Sequence, residues 1–235
     1  MLFTSRHNQR CRENFSVNID GSVVKAVSQV KNLGVTYDSA MTMERHINNI
    51  CRSAYAELRN IGRIRRYMTN AATRTLVNGL VTSRLDYCNV LLQGLPNTLL
   101  HKMQRVQNTS ARVITRTSRH SHITPVLKAL HWLPIQSRLD FKVLVQTYKA
   151  LDEQAPGYVR DMISVYTPAR TLRSQKSLNL VTPRFKSAIY GKRCFSLSAA
   201  SLWNNLPCHI KESSSVDIFK RSLKTHLFLA YYNNF

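Results

Sequence analysis

The stretch MTMERHINNICRSAYAELRNIGRIRRYM, residues 41–68, decides the fold. Its apolar positions Met43, Ile47, Ile50, Ala54, Leu58, Ile61 and Ile64 step by three and four, the spacing that lines one face of an α-helix. At 100° per residue, Arg45, Arg52, Arg59, Arg63 and Arg66 gather on the opposite face. The main row repeats every seven residues, so one guanidinium recurs per ~10 Å of helix axis. Only Glu44 and Glu57 stand within the stretch as counter-charges. Every amphipathic helix carries charge on its wet face, but such a face normally mixes both signs. This one is almost purely cationic and ends on Tyr67.

Toward the C-terminus, a second helix is expected from Asn70 as cap through Leu76, Leu80, Leu85 and Leu91, punctuated by Gly94-Leu95-Pro96. A third should follow Asn97 and turn Leu100, Met103, Val106, Ser110, Val113 and Ile114 inward, with Lys102, Arg105, Arg112, Arg116 and Arg119 outside. Three consecutive helices on short connections predict a bundle. Thr124-Pro125 marks a further helix start, and Trp132-Leu133-Pro134 precedes a longer helix carrying Leu139, Val143, Tyr148 and Leu151. From Tyr166 to Leu197, Thr, Ser and Arg with short apolar alternations such as Leu178, Leu180 and Phe195, Leu197 predict loops and two strands. A last helix is expected from Ser215, with Asp217 in its first turn and Phe219, Leu223 and Leu227 on its apolar face.

Toward the N-terminus, Phe15, Val17 and Ile19 alternate, Asp20-Gly21 turns the chain, and Val23, Val24 and Val27 resume, which is a hairpin pattern. Lys31 to Tyr37 reads as a third extended piece, after which Asp38 or Ser39 offers a helix N-cap. The predicted class is therefore mainly α, with a scrap of sheet too small to stand alone.

The 235 residues are 43% hydrophobic, enough for a packed core, and 34 Lys plus Arg against 12 Asp plus Glu give a net charge of +22. A compact body with that imbalance repels itself unless a polyanion neutralises it. The sequence has no signal-peptide pattern, and its long uncharged run over 87–100 is broken by Gly94 and Pro96, so neither secretion nor a membrane partner is expected. Cys11, Cys51, Cys88, Cys194 and Cys208 form no CxxC pair, which predicts reduced thiols in a nuclear or cytoplasmic protein.

Several strings then stand in order along the chain: KNLGV (31–35), HINNIC (46–51), RNIGRIRRY (59–67), SRLDYCN (83–89) and LHKMQRVQN (100–108). LHWLPI (130–135), RTLRS (170–174), LWNNLP (202–207) and FKRSLKTHLF (219–228) continue the series. Together they resemble the C-terminal half of the reverse transcriptase of LINE-type, non-LTR retrotransposons, especially the chicken-repeat class. The resemblance implies a remnant of palm over 1–38, a helical thumb-like domain over 39–120, and a C-terminal region of helices and short strands over 121–235. It also implies a chain that starts after the catalytic hairpin and misses its palm domain.

Reverse transcription needs palm carboxylates holding two magnesium ions, and the family places two of them in an Asp-Asp hairpin. The sequence contains no Asp-Asp pair; Asp20, Asp38, Asp86 and Asp140 are scattered. The expectation is a non-catalytic fragment of an RNA-directed DNA polymerase with no cofactor of its own. The zinc knuckle of some relatives is not expected either, since Cys194 and Cys208-His209 lack its spacing, and His120-Ser121-His122 reads as a solvated loop. Trp132 and Trp203 sit in apolar strings and read as core anchors. The expected partner is the backbone of RNA, DNA or their hybrid, held without base readout by Arg45, Arg52, Arg59, Arg63 and Arg66 first, and by Lys102, Arg105 and Arg112 second. Two alternatives stand beside it: a partial gene model of an active reverse transcriptase, and a protein-interaction module with incidental basic charge.

Overall fold

The computed structural model describes residues 1–3, 15–167, 178–185 and 191–233. It is mainly α, as the periodicity predicts, with two small antiparallel hairpins ahead of the helices. Cys11 and the RTLRS string lie outside the described residues, as does part of the expected loop-and-strand region.

In the first hairpin, β1 (Ser16–Ile19) pairs with β2 (Ser22–Lys25) across Asp20-Gly21. Both turn residues have positive φ, 48° and 81°. That geometry matches the twist of the strands it joins and favours Asp-Gly. The extended piece expected over residues 31–37 is instead a second hairpin, β3 (Gln29–Asn32) against β4 (Val35–Asp38). Leu33 (φ 45°) and Gly34 (φ 81°) make the same kind of turn. A Leu at the first turn position hides the signal, because the pattern favours Asn or Asp there.

The long helix α1 (Glu44–Ile64) starts later than expected. Neither Asp38 nor Ser39 is its N-cap; Met43 holds that position with φ 59°. The Asp38 carboxylate accepts the backbone N–H groups of Ala40, Thr42 and Met43 and the Thr42 hydroxyl, at 2.8–3.1 Å, and so fixes the approach to the helix. His46, Ile47, Cys51, Ala54, Leu58 and Ile61 are buried, whereas Ile64 is exposed. There α1 tightens into a 3₁₀ turn, Arg65–Tyr67, and Arg65 takes the inward position instead.

Thr69, not Asn70, caps the next helix, its hydroxyl accepting from the Ala72 N–H. The Asn70 side chain is occupied in accepting from Arg65. The helix itself is interrupted: α2 (Asn70–Val77) opens into a π turn at Asn78–Thr82 and resumes as α3 (Ser83–Asp86). A π turn takes up an extra residue and rotates the face that follows. Val77, Val81 and Leu85 are buried, Leu85 as expected, whereas Leu76 is half-buried and Leu80 and Leu91, also expected inward, are exposed. In α4 (Asn97–Thr115), Leu100, Met103, Val106, Ser110 and Ile114 are buried as the spacing predicts, and Val113 is half-buried.

The chain divides into two compact units, Met1–Cys88 with Asn97–Ile114, and Asn89–Pro96 with Thr115–Phe235. The second contains a 3₁₀ turn (Asn89–Leu92), α5 (Thr124–Ala129), α6 (Ile135–Leu151), α7 (Gly157–Arg160), α8 (Phe195–Asn204), α9 (Cys208–Lys211) and α10 (Val216–Tyr232). Ile123 caps α5, with Thr124 its first residue. Phe195 and Leu197, expected in a strand, lie in α8; burying Ala199, Ala200 and Trp203 on one face outweighs the short local alternation. Among the described residues of the region expected to hold two strands, Leu180 makes an isolated β-bridge with Val165, just ahead of it. Ser215 caps α10 by accepting the Ile218 N–H. The core gathers Leu144, Tyr148, Leu180, Trp203, Phe219 and Leu223, with Tyr148 stacked on Phe219 at 4.3 Å. Trp132 and Trp203 are both buried, and the Trp203 ring N–H donates to the Leu178 carbonyl at 2.7 Å.

Candidate nucleic-acid interface

Arg45, Arg52, Arg59 and Arg63 are all exposed along α1, opposite its buried face. None of the four makes an ion pair among the described residues. The two carboxylates of the helix are engaged elsewhere: Glu57 pairs with Arg84 at 3.1 Å, and Glu44 lies 3.6 Å from Lys102. Arg45 donates one hydrogen bond, to the Gln29 side-chain oxygen at 2.6 Å, which steadies it without neutralising it. Arg66 stands just past the helix, in the 3₁₀ turn, with its guanidinium 4.6 Å over the exposed ring of Tyr67.

The second group lies on α4. Lys102 donates to the Asn48 side-chain oxygen at 2.9 Å. Asn48 is three residues from Arg45 and four from Arg52, so it is their neighbour on the helix surface. A cation of α4 is thereby brought to the edge of the arginine row. Arg105 is exposed one turn further along α4. Arg112 is half-buried and engaged within the fold, so it differs from the other residues of the expected set.

Two further arginines, not in the expected set, hold this surface in place. Arg65 is 7% exposed and donates to the carbonyls of Val113, Met68 and Ile114 at 2.7–2.8 Å and to Asn70. It ties the end of α1 to the end of α4, satisfying carbonyls that a helix C-terminus leaves without partners. Its place was readable from spacing, since Arg65 falls four residues after Ile61 on the apolar row. Arg84 braces the other flank of α1, through Glu57 and the Ser53 hydroxyl.

Among the described residues, no three His, Cys, Asp or Glu side chains gather as they must to hold a metal ion. Cys51, Cys88, Cys194 and Cys208 are free thiols, and among the described residues no helix is long and apolar enough to cross a membrane. The surface is thus an array of fixed positive charge and hydrogen-bond donors. Such an array meets phosphate oxygens irrespective of base sequence. No family model matches this sequence, and neither a curated protein nor a solved structure matches it.

Proposed function

We propose that this chain binds the sugar–phosphate backbone of RNA, DNA or an RNA–DNA hybrid, without base readout, through the arginine row of α1 and the adjoining cations of α4. The observation that carries this reading is the exposure of Arg45, Arg52, Arg59 and Arg63 on one helix face without a carboxylate partner among the described residues. Had the row been cancelled by acids, or turned inward as Arg65 is, it would offer nothing to a polyanion. The resemblance to retrotransposon reverse transcriptases supplies the context: a thumb-like fragment, non-catalytic within these residues, that grips a primer–template duplex.

A salt titration tests it. If five phosphates are contacted, log affinity for duplex RNA, hybrid or DNA falls against log salt with a slope of about −4 to −5. The Arg52→Gln, Arg59→Gln, Arg66→Gln triple variant should lose about 2.7 of that slope. Unchanged affinity in the variant removes the site. A salt-insensitive interaction with protein instead favours the second reading, an interaction module, for which the exposed valines and isoleucine of β1 and β2 are the supporting observation.

A further inference from the structure

On the other flank of α1, between the β3–β4 hairpin and α3, the first unit holds a cleft of about 580 Å³. That lies within the roughly 300–1,000 Å³ of small-ligand sites. No acidic residue lines it. Its lining mixes the apolar Ile50 side chain and the Tyr87 ring with polar Asn49, Ser53 and Lys31. Arg84 also lines it, but its charge is met by Glu57, so a bare phosphate gains little there. Tyr87 is held as a platform. Its hydroxyl donates to the Leu33 carbonyl at 2.8 Å, and its ring lies against Gly34, where a Cβ would come within 3.4 Å. Tyr87 as a residue nevertheless remains 51% exposed.

The cleft also borders the arginine row. Asn49 is four residues from Arg45 and three from Arg52, one helical turn from each. A strand whose phosphates rest on those two guanidinium groups therefore passes the mouth of the cleft. We propose that the cleft receives a single unpaired nucleobase of that strand, stacked on Tyr87. This rests on the backbone-binding reading and adds an unpaired end or bulge to what is bound.

Three duplexes that differ at one end test it with the full chain: a blunt end, one unpaired 2-aminopurine nucleotide, and one unpaired abasic nucleotide. The 2-aminopurine end should bind about tenfold more tightly than the other two, the worth of one base–aromatic stack, with its fluorescence quenched. Ser83 forms a wall of the cleft, its hydroxyl turned back to the Gly79 carbonyl. Ser83→Phe fills the cleft and should abolish the gain while leaving blunt-duplex affinity unchanged. Tyr87→Ala removes the ring and should abolish the gain. Equal binding of abasic and 2-aminopurine ends, or a gain that survives Ser83→Phe or Tyr87→Ala, overturns the proposal. Free 2-aminopurine ribonucleoside monophosphate separates the cleft from the row. Quenching that persists in the Arg52→Gln, Arg59→Gln, Arg66→Gln variant supports the cleft even if backbone binding fails. Equal displacement by inorganic phosphate overturns it.

Discussion

Arg65 donates from its guanidinium to three carbonyls and to Asn70, while Arg63, two residues earlier, is exposed and has no ion pair among the described residues. The same side chain is a clamp at one position and a free charge at the other. Replacing Arg65 by Met strands buried acceptors, and we expect the unfolding free energy to fall by roughly 2–4 kcal/mol in a urea titration. Arg65→Lys should recover only part of this, because an ammonium cannot reproduce the planar fork. Arg63→Gln should leave stability within about 0.5 kcal/mol and reduce the salt slope of binding by about 0.9. A variant pair that behaved the other way round would exchange the roles given to the two residues. The RIRR run at 63–66 does not separate them by composition; helix phase does, since one position continues the row after Ile61 and the other faces away.

At the level of elements, the joint between β4 and α1 depends on two titratable groups. Burial lowers the His46 pKa below 6.5, and its Nδ1 accepts the Thr36 N–H at 3.3 Å, a bond that requires the neutral ring. A base whose folded pKa is depressed takes up its proton more readily when unfolded, so stability falls as pH drops below 6.5. Asp38 acts lower down. Desolvation alone would raise its pKa, but the hydrogen bonds from Thr42, Met43 and Ala40 outweigh it and hold the carboxyl below 3.8. Its contribution is complete above 3.8 and is lost as pH falls through the depressed folded value. Thermal melts across pH should thus show two steps of weakening, the upper one absent in His46→Gln and the lower one absent in Asp38→Asn. A single step that neither variant moves would place the acid sensitivity elsewhere. The π turn at Asn78–Thr82 teaches the same lesson at this scale. Local periodicity offered Leu76 and Leu80, whereas the buried row steps by four through Thr73, Val77, Val81 and Leu85, and the wider π turn keeps such a row on one face.

For the whole molecule, a net charge of +22 makes self-repulsion a standing cost to the folded state. Salt and polyanion should therefore act in opposite senses on binding and on stability. Raising salt alone should raise the melting temperature by screening like charges, yet it should erase the stabilisation given by added duplex. At duplex concentrations near a hundred times Kd, that stabilisation should be about 2.7 kcal/mol. A melting temperature that ignores duplex at low salt would sink the polyanion-partner reading. The exposed side chains of β1 and β2 belong to this scale too: Val17, Ile19, Val23 and Val24 are each more than 40% exposed. A two-stranded hairpin with no further strand paired to it among the described residues is an edge that invites association. Val24→Lys should reduce concentration-dependent light scattering, with stability changed by no more than about 0.5 kcal/mol.

Periodicity and turn chemistry, which act between residues a few positions apart, were enough to determine the helical class, the first hairpin, the long basic helix with its buried and cationic faces, and the final helix capped by Ser215. What only the tertiary structure decided depends on residues distant in the chain. Arg65 is a clamp because the carbonyls of Val113 and Ile114 come to it, and Tyr87 is a platform because Leu33 and Gly34 do. Phe195–Asn204 is a helix because its buried face has a core to enter. The division of the chain, with Asn89–Pro96 in one unit and the helix that follows in the other, has no local signature at all. Which distant groups meet, and the long-range hydrogen bonds they make, are set by what the fold brings together, and neighbouring residues carry no record of it.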